Sequence, residues 1–536
     1  MRHSLILALA LVVGASGQER TNDHSPASRR DSKRSAMPNG EAYYAGVPLR
    51  LREGPQLLID DSLVEDRWRL KRVVIQPQKF PKNPVLVRDK AWEGDAVLGA
   101  KVIYDEERGL FRMWYETFSY TEALQSGTAT AVVCYAESRD GYNWEKPLFD
   151  FFPFPGHPRT NILYRGTYYD QDPRRYGAVA CQVWKDLAET NPQRRYKMLS
   201  YEPKPVAGVL RRGVNLATSP DGLRWRLDER PPLLDYNSDA SNHTVYDPVF
   251  GRWLFYCRPR LVHATGLTPQ DPQPGGYPGT RHYSRRLAVM TSTDFMNWSY
   301  PRTCLYPDEA DAPDFNGFWV FRYGSHFIAL LGIMDGDQDQ APQDVRLATS
   351  IDGLQWQRSP IREPYIPRGR DGDWDAGLVD VMTTPIIQGD DILIFYNGNT
   401  VNKSWVTQTG IGVAFAKADR FIEQRADDEP GFLITREFIL DGNRLTINSS
   451  RFKLRNKTQY IKAEIVRHPP VGGHYGFKAA YEGFSFKDCD PVTQNGSNVT
   501  LTWRGKSDLS VLTGKPIYIR FELRNMGIFS FRVAKE

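Results

Sequence analysis

One heptapeptide constrains this chain more than any other feature. "SPDGLRW" (Ser219 to Trp225) has near-copies in "SRDGYNW" (Ser138 to Trp144), "STDFMNW" (Ser292 to Trp298) and "SIDGLQW" (Ser350 to Trp356). An alternating apolar run precedes each copy: "AVVCYAES", "GVNLATS", "LAVMTS" and "VRLATS". Asp and Ser side chains bond nearby backbone amides and Gly tolerates positive φ, so each copy reads as a hairpin turn. A degenerate fifth copy, "IGVAFAKADRF", carries Asp419 where the others carry Asp140, Asp221, Asp294 and Asp352. Upstream of each copy lies another hairpin, from "VIYDEERGLFRMWY" in the first unit to "PIIQGDDILIFY" in the fifth. Two hairpins make four strands, and five four-stranded units arranged radially make an all-β, five-bladed β-propeller. The turn aspartates then cap turns on the outer rim and the tryptophans pack the blades, which makes the motif scaffolding.

The rest of the chain divides around this array. "MRHSLILALALVVGASG" (1–17) reads as a cleavable secretory signal, implying a secreted or periplasmic protein. Residues 18–54 are polar and aperiodic at their start and read as a disordered linker. The propeller is expected over 55–431, with "GPQLLIDDSLVED" as a strand that pairs with the last blade and closes the ring. Residues 432–536 hold further strand patterns, such as "KPIYIRFELRN", without a copy of the turn, and read as a separate β-sandwich. In it Trp503 and Tyr481 are either core or sugar platforms.

Charge and cysteines narrow the function. The formal net charge of +5 is carried largely by the N-terminal segment, which leaves the folded part almost neutral. No basic stripe with interleaved aromatics appears, so nucleic acid is not an expected partner. No later run is long and apolar enough to span a membrane. The five cysteines show no metal-binding spacing, and Cys134, Cys181 and Cys257 fall in strands as small apolar residues. Nothing in the sequence sets the oligomeric state.

Chemistry in a radial array belongs at the funnel, where the innermost strand of each blade begins. The five lead-ins are "AWEGDAVLGA", "YYDQDPRRYG", "YNSDASNHTV", "DAPDFNGFWV" and "DWDAGLVDV". All carry acids: Glu93 and Asp95, Asp170 and Asp172, Asp239, Asp311 and Asp314, Asp375 and Asp380. Each Asp alone could be a turn cap, but the recurrence is harder to explain that way. Carboxylates converging in a pocket repel one another, which separates an acid from a base, and two carboxyls suffice to cleave a glycosidic bond. Trp92, Tyr236, Trp319 and Trp374 accompany the acids, with His243 close to Asp239. Arg258 could hold a substrate group or pair with an Asp. "IMDGDQDQAPQD", with Asp335, Asp337 and Asp339, hints at calcium but lacks the bidentate Glu of an EF-hand.

On "LLIDDSLVE", "KAWEGD", "VIYDEERGLFRMWYE", the turn copies and "FSFKDCDPV…SDLSVLTGKPIYIRFELRN", the chain resembles the five-bladed propeller superfamily of glycoside hydrolase families 32 and 43, over most of residues 55–536. The Asn-Asp-Pro-Asn-Gly, Arg-Asp-Pro and Glu-Cys motifs of family 32 are absent. Family 43 places acids at the lead-ins of successive early blades, which Asp95 or Glu93, Asp170 or Asp172, and Asp239 match by position. That family's general acid is a Glu, which here falls to Glu93 or Glu116.

The resemblance implies a secreted glycosidase acting on plant or algal polysaccharide or oligosaccharide. Glu93 is then the expected general acid and Asp95 or Asp239 the base or nucleophile, while Asp314 and Asp375 bind hydroxyls or tune their neighbours. Trp92, Asp170, His243, Arg258, Trp319 and Trp374 are the expected substrate contacts. No organic cofactor is implied, though five converging acids could hold a structural Ca2+. Two other functions fit: a non-catalytic carbohydrate-binding propeller, and a glycoside phosphorylase using Arg258, Arg281 and Arg285 to bind phosphate.

Overall fold

The computed structural model describes residues 48–119, 131–172, 177–236, 238, 241–259, 285–311, 314–334, 342–400, 409–467 and 480–535. Its contacts divide at residue 49, and all but the first two described residues belong to the unit Arg50–Glu536. Asp239, Arg281, and the loop carrying Asp335, Asp337 and Asp339 lie outside the described residues, as does the side chain of Asp314. The described part is all-β. Its only helical pieces are three short 3-10 turns, and none of its helices is long and apolar enough to cross a membrane.

Five groups of four strands follow in chain order, the first four of them meanders of a double hairpin and the last two joined in one larger sheet. The first is Ala96–Asp105, Leu110–Phe118, Ala131–Ser138 and Ile162–Tyr164, and the second Val179–Lys185, Tyr196–Val206, Val209–Ser219 and Arg226–Leu227. The third is His243–Asp247, Arg252–Cys257, Leu287–Ser292 and Arg302–Leu305, and the fourth Asp314–Tyr323, His326–Met334, Gln343–Ser350 and Gln357–Arg358. In the fifth, Leu378–Asp380 and Ile386–Gln388 pair with opposite ends of Asp391–Asn399, which pairs with Thr409–Lys417. A single parallel pairing, Gln343 with Leu378, joins the fourth and fifth. His326–Met334 is buried throughout and Ala96–Val102 nearly so, because neighbours cover both faces.

The repeated turn has one geometry. The Ser hydroxyl accepts the Gly amide at 2.9 Å in the copies at Gly141, Gly222 and Gly353. The Asp carboxylate accepts two more amides, as Asp221 does from Leu223 (2.8 Å) and Arg224 (2.9 Å). The three glycines have φ of 80°, 75° and 72°, and Phe295 takes the same conformation in their place at φ 60°.

The turn also fastens one sheet to the next. Trp114 Nε1 donates to Gly222 O at 2.7 Å and Arg112 to Asp221 O at 2.8 Å, docking the second sheet's turn on the first sheet. Tyr256 and Arg252 of the third sheet hold Gly353 O (2.8 Å) and Asp352 O (2.9 Å) of the fourth in the same way. Phe295 of the third meets Trp184 of the second at 6.2 Å, and Tyr323 of the fourth donates to Asp419 of the fifth at 2.8 Å. Trp144 of the first packs on Phe395 of the fifth at 5.7 Å, so the sequence of contacts returns to its start.

Two expectations follow for the turn. Trp356 is 8% exposed and wedged edge-on against Tyr256 and Phe318, so Trp356→Ala should cost about 3–5 kcal/mol. Trp225 is only half-buried against Trp114, so its loss should cost less; urea titration of both variants checks the order. Asp294 lies below the ordinary carboxylate range, held there first by the Asn297 amide and then by that of Met296. A depressed folded value stabilises above the unfolded value of about 3.9 and is lost as pH falls through the folded one. The stability gap between wild type and Asp294→Ala should therefore narrow from pH 5 to pH 2. A constant gap would show that the carboxylate charge is not what the turn uses.

The N-terminal strands depart from expectation. "GPQLLIDDSLVED" does not close the fifth sheet. Gln56–Leu57 pairs with Ser530–Phe531, Val64–Trp68 with Phe432–Thr435, and Lys71–Val74 with Ile422–Arg425. These strands belong to two further sheets, completed by Arg444–Arg451, Gly496–Thr500 and Met526–Ala534 on one side and Phe438–Ile439, Tyr460–Val466 and Pro516–Arg524 on the other. Phe521 of one sheet meets Phe531 of the other at 6.4 Å. The fifth sheet is closed by Gln78–Lys79 and Leu86–Val87, which pair with Thr409–Lys417. Between them Asn83 exchanges two hydrogen bonds with the Val413 backbone, at 2.9 and 3.0 Å, as a strand residue would.

Candidate active site

The first strands of the first four sheets lie side by side in chain order, and the first strand of the fifth lies against Gln343–Ser350 of the fourth. Side chains tie them together. Gln182 exchanges hydrogen bonds with the Thr244 backbone at 2.7 and 2.9 Å, and His243 Nε2 accepts the Val320 amide at 2.9 Å. Gln343 donates to Val379 O at 3.2 Å, and Thr383 Oγ1 accepts the Val102 amide at 2.8 Å. The lead-in acids therefore start from strands that share one axis.

On that axis lie two buried carboxylates, Glu116 against the stretch Gly99–Lys101 and Asp380 against Gly317. A bulge between Leu98 and Lys101 displaces Gly99 to φ 65°, and a Cβ there would collide with the Glu116 carboxylate. Lys101 Nζ sits 3.5 Å from Glu116 Oε1 and donates to Gly99 O at 2.6 Å, with Lys101 1% and Glu116 0% exposed. From the fifth sheet, Asp380 lies against Gly317, where a Cβ would meet its Oδ1. Asn397 links the two backbones: its Oδ1 accepts the Ala100 amide and its Nδ2 donates to the Asp380 backbone carbonyl, each at 3.4 Å. An ammonium beside it suits Glu116 to the charged roles, base or nucleophile.

The other expected residues are placed differently. Glu93 is 0% exposed, and its carboxylate is taken up by four donors: the Asp89 and Lys90 amides (2.6 and 3.0 Å), Tyr115 OH (2.6 Å) and Lys146 Nζ (2.6 Å). That is a structural anchor rather than an open acid. Asp375 is likewise closed in, by Lys79 at 2.6 Å and Tyr396 OH at 3.0 Å, fixing the fifth sheet to its closing strand. Trp92 is buried and donates to Asn161 at 2.6 Å, while Trp374 stacks on Tyr396 at 5.5 Å. Asp170 is exposed in a 3-10 turn, 3.1 Å from Arg165. Asp95 is half-buried at the start of the first sheet, its amide donating to Phe118 O at 2.8 Å.

His243 and Trp319 are core residues. Their rings stack at 4.3 Å, and Trp319 Nε1 donates to Thr384 at 3.1 Å. Burial first, and then the charge of Lys101, lowers His243 to about 3, so its imidazole is neutral. Arg258 and Arg285 are 5% and 8% exposed, and the Arg258 carbonyl accepts from Tyr236 OH at 2.7 Å. Trp503 is core, donating to Ala463 O at 3.0 Å. All five cysteines are free. Among the described residues, no three His, Cys, Asp or Glu side chains converge as a metal site. Lys101, which the sequence reading passed over, left one signal: a lone charge within the apolar run "AVLGAKVIY".

No protein-family model matches the chain, and no curated protein matches it. Among solved structures it is similar to a beta-1,2-mannobiose phosphorylase from Listeria innocua (10% identity, 65% of this chain and 98% of that one, TM-score 0.44). It is also similar to an N-acetylgalactosamine deacetylase from F. plautii (16% identity, 66% and 97%, TM-score 0.41). A third is a fructofuranosidase from Schwanniomyces occidentalis complexed with fructosylnystose (11% identity, 87% and 100%, TM-score 0.40). These likenesses concern the course of the chain and bring no reaction with them.

Proposed function

We propose that this chain is a secreted glycoside hydrolase of plant or algal polysaccharide or oligosaccharide, built as a five-bladed propeller followed by a β-sandwich. The observation that carries the reading is the pair of buried carboxylates on different sheets, Glu116 beside Gly99 and Lys101 and Asp380 against Gly317, whose backbones Asn397 connects through the Ala100 amide and the Asp380 carbonyl. Two carboxyls on one axis are the minimum for glycosidic cleavage, one protonating the leaving oxygen while the other attacks or activates water. Glu116 takes the charged role and Asp380 the second, with Asp95 at the start of the first sheet. Export rests on the apolar run of residues 5–13 and is checked by the mature N-terminus in mass spectrometry.

A phosphorolytic variant is the second reading, favoured by the near-complete burial of Arg258 and Arg285, which stand just outside the strands Arg252–Cys257 and Leu287–Ser292. One assay separates them. Purified protein is offered a polysaccharide and oligosaccharide panel with and without inorganic phosphate. Hydrolysis releases free reducing sugar in both arms, and phosphorolysis releases sugar phosphate only with phosphate. Saturable binding without product in either arm would leave a carbohydrate-binding module.

A further inference from the structure

The axis has an opening. At the end opposite to Asp95, the late residues of the first strands enclose a cavity of about 470 Å3, reached past Tyr104, Trp184, Leu187 and Thr384 and floored by Lys101 and Trp319. Its volume falls in the range of about 300–1,000 Å3 typical of small-molecule sites. It uses neither Glu116 nor Asp380; Lys101 is the layer between it and them.

The lining defines what would fit. Both lysines are committed, Lys101 to Glu116 (3.5 Å) and Lys185 to Asp105 (2.7 Å) and Glu107 (2.9 Å). Two lysines against Glu106 and Glu107 leave the lining without net charge, so it offers little to a phosphate or a carboxylate. What it offers is aromatic face and hydroxyl chemistry. Trp184 is half-buried, Tyr104 is 36% and Leu187 74% exposed, so apolar surface already stands in water at this mouth. Thr384 Oγ1 accepts from Trp319 Nε1 at 3.1 Å, and its hydroxyl can also donate. Glu106 and Glu107 can accept from ligand hydroxyls. A flat, uncharged, polyhydroxylated molecule matches this set, because its C–H face packs on the rings while its hydroxyls meet the Thr and Glu groups.

We propose that this cavity is a second carbohydrate site, for a short neutral saccharide, separate from the carboxylate pair. The test is saturation-transfer NMR and calorimetry on the full chain with cellobiose, xylobiose, maltose and mannobiose. The variants are Trp184→Ala and Leu187→Glu. At least one disaccharide should bind wild type, with Kd raised tenfold or more in Leu187→Glu and Trp184→Ala. Leu187 is exposed enough for its variant to fold even if Trp184→Ala does not. Absence of saturable binding by all four sugars, or binding that Leu187→Glu leaves unchanged, overturns the proposal.

Discussion

Glu116→Gln should lower turnover by about 10²–10⁴-fold, the usual cost of removing a positioned acid or base. It should also destabilise the fold, because Lys101 would be left as a buried cation without its carboxylate, and breaking such a pair costs about 3–5 kcal/mol. The two effects can be separated. In the double variant Lys101→Met with Glu116→Gln neither charge is buried alone, so stability should return while turnover does not. A double variant that regains activity with stability would make Glu116 structural and remove it from the chemistry. Asp380→Asn should lose activity to the same extent.

A chain ending at residue 431 should fail to fold as a soluble monomer. Strands Gln56–Leu57, Val64–Trp68, Lys71–Val74 and Ile422–Arg425 all pair with partners beyond that point, or with one another in sheets that those partners complete. Truncation would expose their edges, a ready template for aggregation. It would also strip Asp419 of Ser530 (2.6 Å), Arg532 (2.7 Å) and Asn448 (3.5 Å), leaving a buried carboxylate held by Tyr323 (2.8 Å). Size-exclusion chromatography of the truncated chain checks this, and a soluble fragment with wild-type melting behaviour would contradict it.

The repeated turn was legible because its information is local: Ser, Asp and Gly satisfy one another within a few residues, wherever the sheet lies. Its second use was not legible, since Trp114 and Arg112 reach Gly222 and Asp221 from a different sheet. The lead-in acids show the same limit. Glu93 and Asp375 look as available in sequence as Glu116 and Asp380. What closes them is Lys146 in one case and Lys79 in the other, both distant in sequence. Glu116 was legible only as an alternative, because it ends a second strand instead of preceding a first one. The closing strand was misplaced for a related reason. "LLIDDSLVED" and the segment 78–87 are both short and partly apolar, and only the register with residues 410–415 distinguishes them.

The most direct measurement of the central claim is a crystal structure of the Glu116→Gln variant soaked with the best substrate from the panel. The account predicts a sugar ring on the axis, with residue 116 and Asp380 on either side of the scissile bond. Their separation should be about 5–5.5 Å for retention or about 6.5–9.5 Å for inversion. A sugar seated on the outer rim or on the β-rich C-terminal sheets, with the axial mouth empty at saturating concentration, would contradict it.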